Sequence, residues 1–104
     1  MKDIREQLIL HEGLYLKSYV CPAGKITIGV GRNLEDKGIT HLEAMMLLEN
    51  DIQQAEDELS KYKWYNELDP IRKKVLIDMR INLGLTGLLN FKNMIKAIEN
   101  KDYK

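Results

Sequence analysis

Several things are scarce in this chain of 104 residues, and each scarcity excludes something. There is one cysteine, Cys21, so no disulfide can close within the chain, and a single thiol says nothing about redox compartment. Net charge is missing as well: 16 basic residues balance 16 acidic ones, leaving no global field to draw the chain to nucleic acid, a membrane surface or an anionic polymer. Any affinity for a polyanion must be local. No run of about 18 apolar residues occurs, and the start lacks a basic segment followed by an apolar one. No membrane span and no signal peptide are therefore expected, and the protein is expected to be soluble and made in the cytoplasm. Repeats and low-complexity segments are absent too. His11 and His41 do not join the acidic residues at ligand spacing, so no metal site is expected.

What is present begins with a short helix over residues 3–11. Asp3 stands at its N-cap with Glu6 three positions on, and Ile4, Leu8 and His11 share a face. Gly13 follows where a left-handed stop is cheapest, which leaves Glu12 at or next to the helix C-terminus. The macrodipole is negative there, so a carboxyl is pushed toward its protonated form, which is what a general acid requires. On position alone, a surface glutamate in a frayed last turn is the plainer reading. Leu14 to Tyr19 then alternate as an extended segment, Cys21-Pro22-Ala23-Gly24 supplies turn chemistry, and Lys25 to Val30 reads as a strand. That strand is expected to bury Ile26, Ile28 and Val30, leaving Thr27 on the other face with Gly29 and Gly31 opening space beside it. An ordinary hairpin, with threonine chosen for strand propensity, fits the same residues.

His11-Glu12-Gly13-Leu14-Tyr15-Leu16-Lys17-Ser18-Tyr19, followed by Gly24-Lys25-Ile26-Thr27-Ile28-Gly29-Val30-Gly31, resembles the phage-type lysozymes, the endolysin muramidases of glycoside hydrolase family 24. In that family a catalytic Glu is followed after eight residues by Asp or Cys, and after five more by Thr; the same spacing falls here on Glu12, Cys21 and Thr27. The resemblance continues through Gly38-Ile39-Thr40 and on to Asn82-Leu83-Gly84-Leu85-Thr86-Gly87. It implies an α+β, lysozyme-like fold in one domain: a β-containing lobe over 13–39, a linking helix over 40–61 and a partial helical lobe over 62–104, on which the helix at 3–12 packs. Family members generally run some tens of residues further, so the resemblance implies that the last helices of the larger lobe are lacking.

The activity implied is hydrolysis of the β-1,4 bond between N-acetylmuramic acid and N-acetylglucosamine in peptidoglycan, with no cofactor, at the cell wall after release by another agent such as a holin. Glu12 would be the acid and Thr27 would hold the attacking water. Cys21 would be base or nucleophile, and Asn82 and Arg32 would contact substrate, although a helix cap serves equally for Asn82. A free thiol has a pKa near ~8.5, and Lys25 or Arg32 could lower it. Water attack would invert the anomeric carbon; attack by the thiol would retain it.

Asn33 to Ile39 reads as a loop, and Thr40-His41-Leu42-Glu43 as a capping box. Met45, Leu48, Ile52, Ala55 and Leu59 follow as a core stripe, with a solvated acidic face opposite. Tyr62, Trp64 and Tyr65 could pack or stack on a sugar, and packing is favoured. Asp69 and Pro70 start a helix with Ile71, Val75, Leu76 and Met79 as its buried stripe, while Arg72, Lys73, Lys74 and Arg80 could meet acidic residues or peptidoglycan carboxylates. Leu88, Leu89, Phe91, Met94, Ile95 and Ile98 make one or two short apolar helices with little sequence left to cover them. Either a partner chain such as a second copy covers them, or the chain is part of a longer protein. The competing functions are a glycan-gripping module that does not cut and, more weakly, a Cys-nucleophile amidase, for which no Cys-His pair stands out. Nucleic-acid binding is disfavoured by zero net charge and the lack of a basic stripe.

Overall fold

The computed structural model describes residues 3–102. Its elements run α1 (Ile4–Glu12), β1 (Tyr15–Val20), β2 (Ile26–Gly29), β3 (Arg32–Asn33), α2 (His41–Leu59), α3 (Lys63–Asn66), α4 (Pro70–Leu89) and α5 (Lys92–Glu99). A small antiparallel sheet in the order β1-β2-β3, with helices before and after it, is the expected α+β arrangement. The chain divides into two compact units after Ala44, within the first turn of α2. The last two residues of the expected helical lobe, 103 and 104, lie outside the described residues. No helix among the described residues is long and apolar enough to cross a membrane.

In the first unit, α1 starts as its sequence dictates, with the Asp3 carboxylate accepting the Glu6 N–H at 2.9 Å. The helix includes Glu12 as its last residue. Gly13 then leaves with φ 80° and ψ 166°, donating its N–H to the Ile9 carbonyl at 2.8 Å. The stop is thus a positive-φ residue, but an extended one rather than a left-handed helical turn. The turn after β1 closes with Cys21 N–H on the Lys25 carbonyl at 2.9 Å and Gly24 N–H on the Cys21 carbonyl at 2.8 Å. β1 and β2 pair Tyr15 with Gly29, Tyr19 with Thr27 and Val20 with Ile26, which requires a register slip between Tyr15 and Tyr19. β3 pairs Asn33 with Thr27 and Arg32 with Ile28. At two residues it is too short to show a period, so its second residue is hidden in what reads as a loop.

The burial expected of β2 is inverted. Thr27 is buried at 4 % exposure, Ile26 is exposed, and Ile28 and Val30 are half-buried. Thr27 occupies the central strand opposite Tyr19, and its hydroxyl donates to the Lys25 carbonyl at 2.9 Å, so its polar group is satisfied where it is buried. The capping box at the start of α2 is reciprocal: Glu43 N–H donates to Thr40 Oγ1 at 3.1 Å, and Thr40 N–H to Glu43 Oε1 at 2.9 Å.

The second unit holds the core. Leu59, Tyr65, Leu68, Leu76 and Leu88 form a buried cluster, with Tyr62, Trp64, Ile77, Met79, Leu85, Met94 and Ile98 packed against it. The aromatic connector is therefore packing material, the reading its sequence favours. Full burial of Leu59 and Leu88 stabilises by roughly 1.5–3 kcal/mol each. Two expected stripes are only partly buried. Along α2, Ala55 and Leu59 are buried, but Met45 and Leu48 are exposed. Along α4, Leu76 is buried and Met79 half-buried, whereas Ile71 and Val75 are exposed.

The inward arc of α4 runs instead through Lys73, Leu76, Ile77 and Arg80, all buried or half-buried. Cations occupy two of those positions because each finds a partner: the Lys73 ammonium lies 5.6 Å from the centre of the Tyr65 ring, and Arg80 forms a two-pronged ion pair with Glu58. α4 starts on Asp69, whose carboxylate accepts the Arg72 N–H at 2.8 Å, with Pro70 in the first turn. It breaks at Gly84, where φ is 75°. Its continuation and α5 are the short apolar helices that the sequence indicates.

Candidate active site

Cys21 opens the β1–β2 turn and Thr27 is the second residue of β2, so the hairpin folds one back on the other. The turn directs amide hydrogens at the half-buried thiol. The Lys25 N–H foremost, then the Thr27 hydroxyl, hold its pKa below the usual thiol value; burial works against them, and the Ala23 N–H adds to them. The ammonium of Lys25 is not the cause. Its Nζ faces Asp36 at 3.5 Å and Glu35 at 3.9 Å, and Arg32 is engaged elsewhere, so backbone dipoles do what the sequence suggests for side-chain charge. Thr27 has one hydroxyl proton, given to the Lys25 carbonyl. Turned from that carbonyl toward the sulfur, the same proton stabilises the thiolate, and the hydroxyl lone pairs remain to accept from a water molecule.

Glu12 is exposed at the end of α1, and its carboxyl group lies against the β2–β3 turn. Oε2 sits 3.0 Å, and Cδ 3.4 Å, from the point a Cβ on Gly31 would occupy. Gly31 also has φ 71°, so glycine is required there twice, by backbone and by neighbour. Tyr19 feels the charge of both this carboxyl and the thiol. Burial foremost, then Tyr15, Cys21 and Glu12 as neighbouring negative charges, raise the phenol pKa, which puts Tyr19 within electrostatic reach of both.

Arg32 is spent on the protein itself. It donates to both carboxylate oxygens of Glu43 at 2.8 Å and to the Gly38 carbonyl at 3.2 Å. In return, Arg32 first, with the Thr40 N–H behind it, holds the Glu43 carboxyl at a pKa of about 2. The guanidinium therefore straps the sheet to the start of α2 instead of presenting a free cation to a ligand. Asn82 belongs to the second unit, where its amide nitrogen donates to the Asp78 carboxylate at 2.7 Å and to the Asp78 carbonyl at 3.0 Å. That bond, one turn back along α4 and just before the break at Gly84, matches the helix-end role weighed for it.

Sequence reading misses the pairing of Tyr15 with Tyr19, whose ring centres lie 4.4 Å apart at an interplanar angle of 43°. It also misses the second task of Glu43, which the capping box alone does not reveal. The only sequence signal for the tyrosines is their four-residue spacing, which in a regular strand keeps two side chains far apart. Among the described residues, no group of three or more His, Cys, Asp or Glu side chains could hold a metal ion.

The family model described as phage lysozyme matches residues 10–104, a segment containing Glu12, Cys21, Thr27, Arg32 and Asn82. The chain is also similar to a protein from Dictyostelium discoideum named "Probable T4-type lysozyme 1", with 28 % identity over 133 residues, covering 99 % of this chain and 78 % of that relative. With a match over nearly its whole length, the chain belongs to the phage lysozyme family.

Proposed function

We propose that the protein is a muramidase that hydrolyses the β-1,4 bond between N-acetylmuramic acid and N-acetylglucosamine in peptidoglycan. It would be made in the host cytoplasm and act on the cell wall after release. In this reading Glu12 gives its proton to the glycosidic oxygen as the bond to the anomeric carbon breaks. A water molecule held by Thr27 attacks that carbon and passes its proton to the Cys21 thiolate. The product sugar then has inverted configuration.

One observation carries this reading beyond family membership: the Cys21 thiol is set beside the Thr27 hydroxyl with its pKa lowered, which favours an anionic base over an inert buried sulfur. Clearing of purified peptidoglycan, with anomer analysis of the released ends, tests it. Inverted ends are expected, and retained ends would transfer the attack to Cys21 itself. Sedimentation with peptidoglycan but no release of reducing ends would make the chain a glycan-binding module instead. The pH profile offers a second test. A thiolate base with a lowered pKa gives a rising limb of activity at lower pH than an ordinary thiol, and Cys21→Asp should preserve or raise activity while moving that limb into the carboxylate range.

A further inference from the structure

We propose that Tyr15 and Tyr19 form an aromatic platform on which one pyranose ring of the glycan rests, seating the scissile bond beside Glu12; this deepens the muramidase reading and rests on it. Residues four apart in a regular strand stand about 13 Å from each other. Here the ring centres are 4.4 Å apart, and the register of β1 against β2 slips between these two positions. The irregularity creates the pair, and strand irregularities of this kind re-aim side chains next to active sites.

The two rings differ in exposure in the way a supported platform requires. Tyr19 is half-buried, opposite Thr27 and near Cys21 and Glu12, whereas Tyr15 is 47 % exposed. Tyr15 also lies over Gly13, the residue after Glu12, with Cε2 2.8 Å from the place of a Cβ there. The phenol edge of Tyr15 thus lies next to the residue that follows the proposed acid, and a sugar resting on the exposed part of this ring would adjoin Glu12. The chemistry of the ring suits an uncharged sugar: the negative π face attracts the weakly positive C–H face of a pyranose, and the phenol rim can donate to or accept from ring hydroxyls.

Steady-state kinetics on purified peptidoglycan, with sedimentation of the Glu12→Gln form as a binding assay, test the proposal. Tyr15→Ala should raise KM about tenfold while kcat falls far less, an effect of the size aromatic packing supplies. Tyr15→Phe, which restores the ring, should restore KM, and Glu12→Gln with Tyr15→Ala should sediment less than Glu12→Gln alone. Circular dichroism of each variant checks folding. An unchanged KM in a folded, active Tyr15→Ala enzyme overturns the platform and leaves the muramidase reading standing. Tyr15-dependent sedimentation by a wild-type protein that releases no reducing ends overturns the muramidase reading and leaves a sugar platform.

Discussion

The two compact units achieve cohesion by different means. Among the described residues, every buried hydrophobic side chain, Ala55, Leu59, Tyr65, Leu68, Leu76 and Leu88, lies after Ala44, and the buried residue before it is Thr27. The second unit is held by hydrocarbon. The first relies on backbone pairing and polar straps: Arg32 on Glu43, Glu43 on Thr40, Glu35 accepting the Ile26 N–H at 3.1 Å, and Lys25 facing Asp36. A hairpin that carries a half-buried thiol and a buried hydroxyl beside an exposed carboxyl fills its interior with polar groups, and the price is a unit with almost no core of its own.

The largest effect is expected at the exposed acid. Glu12→Gln should lower peptidoglycan clearing by about 10²–10⁴-fold, the usual worth of a general acid, with thermal stability unchanged. A fall in melting temperature would show that the site also holds the first unit together. Next comes the core. Leu59→Ala should cost about 2–5 kcal/mol in urea titration, whereas Leu16→Ala, at a position 87 % exposed in the sheet, should cost little. Equal losses would erase the contrast between the units.

Gly31→Ala is intermediate, since a side chain at positive φ costs roughly 1–2 kcal/mol and its methyl would press on the Glu12 carboxyl. Clearing should fall by a larger factor than that strain alone accounts for. Smallest is the acid response of the strap. Glu43 has its pKa lowered to about 2, so its stabilising contribution is complete above the ordinary carboxylate value of ~4.3 and drains away as pH falls toward about 2. Glu43→Gln should flatten the decline of melting temperature across that window. Glu58, held at about 2 by Arg80, gives the second unit a matching slope that Glu43→Gln leaves intact.

Whatever is settled within a few residues is legible in the sequence. The caps at Asp3, Thr40 with Glu43, and Asp69 with Pro70 can all be read because donor and acceptor are three positions apart. The spacing of Glu12, Cys21 and Thr27 is equally plain. What escapes depends on partners distant along the chain. Thr27 is buried because it lies in the central strand with its hydroxyl satisfied, which β propensity alone does not express. The inward arc of α4 includes Lys73 and Arg80, and hydropathy periodicity counts such residues as solvent-facing. The tyrosine pair exists through a slip of register that alternation cannot show, and the thiol is tuned by amide hydrogens that every turn possesses and few aim at sulfur.

Arg32 follows Gly31 directly, and Gly31 is the residue against which the Glu12 carboxyl rests. Two hydrogen bonds of 2.8 Å fix Arg32 to the opening turn of a helix 19 residues long. A shift of that opening turn would therefore reach, across a single peptide link, the glycine against which the Glu12 carboxyl rests. If Glu12 is the proton donor proposed above, the start of the helix works like a tiller, trimming the aim of the acid without ever touching the sugar.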